Sequence, residues 1–182
     1  EMRRQQKNAQ IKESQLKLEA AESKAQAAEA QALMIKAEND RKTQELEEAR
    51  QLQLSMLPRE LPAIANLDIA VYMKTATEVG GDYYDFHIGM DGTLTVVLGD
   101  ATGHGMKAGT VVTSTKSLFN VLSPNPDIVE TFHEMTRCIK LMHLEKLSMC
   151  MSMLKIIGNK IQMSAAGMPP IFIYKRDSQL IE

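Results

Sequence analysis

The chain has 182 residues, of which 44% are hydrophobic and 24% are charged, and its formal net charge is −2. This length fits one ordinary domain with an appendage, and the balanced charge argues against nucleic acid as a partner. Two cysteines, Cys138 and Cys150, are too few for a disulfide framework and favour a reducing, cytoplasmic location. The sequence has neither an apolar run long enough to span a membrane nor a signal-peptide core.

Residues 1–57 differ from the rest of the chain because they contain no glycine, proline or aromatic residue. Mostly apolar residues recur there at intervals of three and four, and this pattern is typical of a coiled-coil seam. We therefore interpret residues 1–57 as a long coiled-coil helix that forms a parallel homodimer; the alternative is a solitary solvated helix. The same spacing includes Gln53. Asn39 and Lys42 fall consecutively on the seam, where a polar residue fixes the register but weakens the pair. They would suit a helix that transmits a signal; the alternative is an imperfect spacer. The helical pattern is already under way at residue 1, so we expect an upstream sensor domain, which a membrane could tether.

Residues 58–182 are predicted to form a second domain of the α+β class, with helices packed on an antiparallel sheet. Its two helices are predicted at 106–122 and 127–144 from apolar residues at helical spacing. The predicted strands cover 69–74, 83–88, 93–99, 148–157, 160–166 and 171–175, and the second and third form a hairpin. Alternating methionines in the strand at 148–157 are interpreted as core residues.

The predicted hairpin brings two acidic residues together. Side chains alternate along a strand, and the more apolar faces of the two strands contain Asp82 to Ile88 and Leu94 to Asp100. If both faces are buried on the same side, Ile88 pairs with Leu94 and Asp82 pairs with Asp100. Two adjacent carboxylates repel each other, and a divalent cation such as Mg²⁺ or Mn²⁺ would resolve the conflict. The alternatives are a pair that shares a proton and two acids that turn away into water.

Other polar residues near this hairpin are predicted to have simpler roles. Asp85 points to the opposite face and is interpreted as structural or solvated. His104 is interpreted as a loop residue and Lys107 as a solvated lysine, although the glycines before the helix at 106–122 leave backbone N–H groups where an anion could bind.

Four sequence blocks resemble the PPM serine/threonine phosphatases, specifically the bacterial SpoIIE-type, RsbU-like branch. They are EVGGDYYDF at 78–86, VLGDATGHG at 97–105, SAAGMPP at 164–170 and the junction QLQLSMLPRELP at 51–62. The resemblance implies a β-sandwich flanked by helices, with two Mg²⁺ or Mn²⁺ ions held by Asp82, Asp100 and the backbone carbonyl of Ala101. It further implies attack by a metal-activated water on the phosphoserine or phosphothreonine of a phosphoprotein, typically an anti-sigma-factor antagonist.

The sequence departs from the family pattern in two places. Met168 occupies the position of a family histidine, and the chain ends before the block that supplies a further metal-binding Asp and the closing strands. We therefore expect a domain that is incomplete at its C-terminal end. The alternative function is a non-catalytic coiled-coil dimer whose degenerate phosphatase domain binds a partner.

Overall fold

The computed structural model describes residues 2–74, 79–144 and 146–182. The chain divides into two compact units, Glu1–Glu45 and Leu46–Glu182. Glu78, the first residue of the EVGGDYYDF block, lies outside the described residues. None of the helices in the described ranges carries an apolar stretch long enough to cross a bilayer.

The first unit consists of helix, and this helix, α1, runs from Met2 to Ser55 and so ends inside the second unit. Exposed ion pairs one turn apart stabilise it weakly, such as Lys17 with Glu13 at 2.6 Å and Lys42 with Glu38 at 2.7 Å. Apolar residues of the predicted seam, including Leu18 and Ile35, are exposed in the single chain. The long helix is confirmed, while its pairing with a second copy stays a prediction.

The second unit is built on a four-stranded antiparallel sheet with the strand order β1-β2-β3-β4. The strands are β1 Asp82–Ile88, β2 Leu94–Ala101, β3 Met149–Ile157 and β4 Lys160–Ala166. The predicted β1–β2 hairpin is confirmed. Its turn is closed by a hydrogen bond of 2.8 Å from the Gly89 N–H to the Thr93 carbonyl, and the Asp91 carboxylate accepts hydrogen bonds from the Thr93 N–H and hydroxyl.

Two helices, α2 Met106–Leu122 and α3 Ile128–Leu141, cover one face of this sheet. Helix α3 begins where the sequence predicts, because the Asp127 carboxylate caps it by accepting hydrogen bonds from the N–H groups of Val129 and Glu130. Helices and sheet share one core, whose members include Tyr83, Val97, Val111, Phe119, Ile128, Met135, Met151 and Met153. The interpretation of the alternating methionines as core residues is therefore confirmed for Met151 and Met153.

The helices cover the opposite face of the hairpin from the one we predicted. Tyr83, Asp85, Val97 and Ala101 are buried against the helices, whereas Leu98 and Ile88 on the other face are 44% and 51% exposed. The prediction failed because both faces carry apolar residues, and because the polar groups on the buried face are paired with partners on the helices or on neighbouring strands.

Two predicted strands are not found as such. Residues 69–74 form neither helix nor strand, and Tyr72 there is 87% exposed, so the alternating pattern did not lead to strand pairing in the described part of the chain. The segment 171–175 contributes only β5, Tyr174–Lys175, which pairs with β6, Leu180–Ile181, in a separate two-stranded sheet. The remaining elements agree with prediction, and the α+β class is confirmed.

Candidate metal centre

The two acidic residues singled out in the hairpin lie directly opposite each other. Asp82 pairs with Asp100 at one end of the β1–β2 ladder, and Ile88 pairs with Leu94 at the other, so the predicted register is confirmed. Directly paired residues share a face of the sheet, with Cβ atoms about 5 Å apart. Both aspartates are exposed, on the face away from the helices. The register therefore places both carboxylates on the same face of the sheet, at the same end of the hairpin.

Gly81 shapes the space beside these carboxylates. Its carbonyl accepts a hydrogen bond of 2.9 Å from the Ala101 N–H, which holds the two strands together just beyond the paired aspartates. A Cβ atom at Gly81 would lie 2.7 Å from the Ala101 carbonyl oxygen and 3.2 Å from the Asp100 Oδ1 atom. Both oxygens thus border one small space that a side chain would fill, and the lack of a side chain at Gly81 leaves it open.

The donor atoms around this space fit a hard divalent cation. Two carboxylates and a backbone carbonyl are oxygen ligands of the kind that Mg²⁺ and Mn²⁺ prefer, and Mg²⁺ usually keeps several waters as further ligands. Within the described ranges, no group of three or more His, Cys, Asp or Glu residues is placed to hold a metal ion. The described chain therefore offers a partial ligand set of Asp82, Asp100 and the Ala101 carbonyl, and their metal-binding role stays a prediction.

The segment after β2 is fixed at a short distance from these acids. The Thr102 hydroxyl accepts a hydrogen bond of 2.8 Å from the Ser148 N–H, and the Thr102 N–H donates one of 2.9 Å to the Ser148 carbonyl. Gly105, with φ of 65°, precedes α2 without a side-chain cap. His104 and Lys107 are exposed, in agreement with their interpretation as a loop residue and a surface lysine.

A buried glutamine, whose role the sequence did not suggest, ties α1 to the strand that begins with Asp82. The Gln53 Nε2 atom donates a hydrogen bond of 2.8 Å to the Gly80 carbonyl, and the Gly80 N–H donates one of 3.0 Å to the Gln53 Oε1 atom. Gln53 is only 6% exposed, so its predicted place on a dimer seam is wrong. The sequence feature that could have indicated this role is a glutamine at a position where the helical spacing predicts an apolar residue.

Asp85 belongs to a different part of the domain. It is 4% exposed on the helix-facing side of β1, where the Tyr83 hydroxyl donates to it at 2.9 Å and the Lys116 ammonium of α2 pairs with it at 2.5 Å. Burial raises the pKa of the Tyr83 phenol well above its usual value, and the Asp85 carboxylate adds to the effect. Asp85 is therefore structural and lies apart from the Asp82–Asp100 pair.

The SAAGMPP block begins on β4, and β3 separates it from β2, which carries Asp100. A Cβ atom at Gly167 would lie 2.9 Å from the Cys150 Sγ atom, and Cys150 is the β3 residue opposite Asp100. Met168, which follows, is half-buried. Cys138 and Cys150 are both free thiols, as expected.

Comparison with known proteins finds a family match and several partial relatives, including a curated protein and a solved structure. The family model for Stage II sporulation protein E (SpoIIE) matches residues 90–182. Protein IcfG of Synechocystis sp. is 35% identical over 79 residues, which make up 43% of this chain and 12% of IcfG. A crystal structure of the RsbU and RsbW domains of Rv1364c from Mycobacterium tuberculosis is 29% identical, with a TM-score of 0.46, over 53% of this chain and 28% of that one. The chain thus spans only a small part of either relative.

Proposed function

Because the chain belongs to the Stage II sporulation protein E (SpoIIE) family, a branch of the PPM-type phosphatases, we propose that it is a metal-dependent protein serine/threonine phosphatase in bacterial signal transduction. Its proposed substrate is a phosphoprotein such as an anti-sigma-factor antagonist. The observation that carries the proposal is the pairing of Asp82 with Asp100 beside the open space at Gly81.

The proposed chemistry assigns a separate task to each residue at this end of the hairpin. Asp82 and Asp100 hold Mg²⁺ or Mn²⁺ through their carboxylates, and Ala101 contributes its backbone carbonyl. Gly81 keeps the space beside these oxygens free of a side chain. When bound, the metal lowers the pKa of water and neutralises charge on the phosphoryl group. The exposure of both aspartates is compatible with a substrate as large as a phosphoprotein.

We propose that the long helix regulates this site. Gln53 lies in the last turns of α1 and binds both backbone groups of Gly80, two residues before Asp82. A shift of this end of the helix would therefore move the backbone that positions Asp82. A homodimeric coiled coil that connects an upstream sensor to the phosphatase domain would use this link, and the protein would act in the cytoplasm.

Manganese binding and phosphatase activity test the proposal separately. We expect Mn²⁺ to raise the melting temperature of the chain and to support hydrolysis of a phosphoprotein substrate. Asp82→Ala and Asp100→Ala should lose both effects, whereas the exposed Asp177→Ala, a matched control for the loss of one negative charge, should keep them. If Asp100→Ala retained full manganese stabilisation, the assignment of Asp100 as a ligand would be wrong.

A non-catalytic, partner-binding domain is the second candidate function. It is favoured by the absence, within the described ranges, of a third metal-binding side chain near the paired acids. This alternative predicts binding of a phosphorylated or unphosphorylated partner protein without manganese-dependent hydrolysis. Equal partner binding by the wild-type chain and Asp100→Ala, with no hydrolysis by either, would favour it over the enzyme.

A further inference from the structure

A second polar site lies at the opposite end of the hairpin from the paired acids. Six residue steps of about 3.3 Å separate Asp82 from Ile88, which places the two ends of β1 about 20 Å apart. Around the turn, a cleft of about 410 Å³ opens between the hairpin, the end of β3 and the connection from α2 to α3. Its size falls within the range of small-molecule sites in proteins.

Lys155 on β3 brings a buried ammonium group to this cleft. The residue is 2% exposed, and its Nζ atom donates hydrogen bonds to the Ser123 carbonyl at 2.8 Å and to the Thr95 hydroxyl at 3.0 Å. Both acceptors are neutral, and no residue in the described ranges accepts a third bond from this ammonium. Burial lowers the pKa of Lys155 because the charged form loses its hydration, and the negative charge of Asp91 offsets only part of this effect. An anion at the third position would compensate for that loss.

Ser123 adds a second polar group to the same cleft. It is the C-cap residue of α2, is 1% exposed, and lines the cleft. Its hydroxyl oxygen is one of two buried side-chain polar atoms in the described ranges that have no hydrogen-bond partner. Buried polar groups are normally satisfied, so an unpartnered hydroxyl beside an incompletely satisfied ammonium indicates that a ligand group belongs between them.

The remaining walls of the cleft define the rest of the ligand. Most are apolar, and they come from Ile88, Met90, Pro124, Pro126 and Ile157. Asp91 also lines the cleft, and its exposed negative charge disfavours a dianion. The side chains of His87, Thr93 and Thr95 complete the lining, and the two threonine hydroxyls already donate to the Asp91 carboxylate and the Ser123 carbonyl. With the Lys155 ammonium and the Ser123 hydroxyl as the donors at the buried wall, a monoanionic head group matches the cleft better than a phosphate does.

We propose that this cleft binds a small organic acid, with its carboxylate at Lys155 and Ser123 and its apolar body against the proline and isoleucine walls. The proposal is independent of the phosphatase assignment, because none of the lining residues belongs to the candidate metal centre.

Titration calorimetry of the whole chain with three matched probes tests this inference. Hexanoate carries both the carboxylate and the apolar body, hexanol lacks the charge, and acetate lacks the apolar body. We expect hexanoate to bind at least about tenfold more tightly than either of the others, since a hydrogen bond to a charged group is stronger than one between neutral groups. Equal affinity for hexanoate and hexanol, or no binding of hexanoate at millimolar concentration, would overturn the proposal.

Substitutions then locate the binding. Lys155→Met should abolish the preference for hexanoate over hexanol, and Lys160→Met, which removes an exposed lysine from the adjacent strand, should leave it unchanged. If Lys155→Met fails to fold, two milder variants test the position of the carboxylate. Ser123→Ala should weaken hexanoate binding several-fold because it removes a donor, and Asp91→Asn should strengthen it because it removes a negative charge from the cleft. Unchanged affinity in both of these variants would refute the proposed position of the carboxylate.

Discussion

Replacing Lys116 by methionine tests the ion pair that joins α2 to β1. In the folded chain, the Lys116 ammonium lies 2.5 Å from the Asp85 carboxylate, and the two side chains are 22% and 5% exposed. Methionine preserves most of the side-chain length and removes the charge. The variant therefore leaves a buried carboxylate whose remaining contacts are the hydrogen bonds from the Tyr83 hydroxyl and the Phe86 N–H.

The expected cost follows from the burial of Asp85. Removing one partner of a buried ion pair costs about 3–5 kcal/mol, and the partial exposure of Lys116 places the expected loss near the lower end, at about 3 kcal/mol. At a denaturant sensitivity of about 2 kcal/mol per molar urea, the unfolding midpoint would fall by about 1.5 M. Replacing Asp85 by asparagine in the same chain should recover at least about 1 kcal/mol, because the uncompensated charge is then gone.

Urea unfolding followed by circular dichroism measures these differences. Lys107→Met is the matched control, since Lys107 is an exposed lysine in the first turn of the same helix, and its loss should stay within about 0.5 kcal/mol. A loss below about 1 kcal/mol for Lys116→Met would be typical of a surface pair. That result would refute the interpretation of Asp85 and Lys116 as a buried structural pair.

Three further predictions concern the connection to α1, the candidate metal centre and the alkaline limit of stability. Gln53→Ala should destabilise the domain to urea by about 2–4 kcal/mol, because it leaves both backbone groups of Gly80 unpaired; a loss under 1 kcal/mol would contradict the two hydrogen bonds. Gly81→Ala should weaken manganese binding in a calorimetric titration, because its methyl group would lie 2.7 Å from the Ala101 carbonyl oxygen, and unchanged affinity would argue against a metal there. The pKa of Tyr83 is raised in the folded state from its usual value of 10.0. The contribution of the neutral Tyr83 phenol to the free energy of unfolding is therefore fully present below pH 10 and is lost as the pH rises further. Urea midpoints should therefore fall above pH 10 less steeply in Tyr83→Phe than in the wild type, and parallel curves would count against this cause.

The sequence predicted the register of the hairpin because local chemistry determines it. Gly89 and Gly92 flank a short turn, and Ile88 pairs with Leu94 once the more apolar faces of the two strands are placed on the same side of the sheet. Asp82 and Asp100 are then paired by counting outward along the two strands. The position of the candidate metal centre therefore depended on local information and was predictable.

The covered face of the sheet could not be predicted in the same way. Asp85 on β1 lies on the more polar face, which we expected to face solvent, and Lys155 on β3 shares a face with the core residues Met151 and Met153; both charged residues are buried. Each has a partner more than 30 residues away along the chain: Asp85 pairs with the Lys116 ammonium, and Lys155 donates to the Ser123 carbonyl. Such long-range pairs reverse the preference of a charged residue for water, and they leave no local pattern in the sequence.

The same long-range contacts explain how the domain could link its helices to the candidate metal centre. The Asp85–Lys116 pair fixes α2 to β1, and the hydrogen bonds of Gln53 fix the end of α1 to Gly80, just before β1. Helix α2 also comes close to the Gly80 segment, since a Cβ atom at Gly109 would lie 2.6 Å from the Val79 Cγ1 atom. Both helices therefore hold the chain at or next to the strand that starts with Asp82. Under the proposed regulation, a change in either helix would reach Asp82 through backbone that is already constrained, so Asp82 would respond more directly than Asp100.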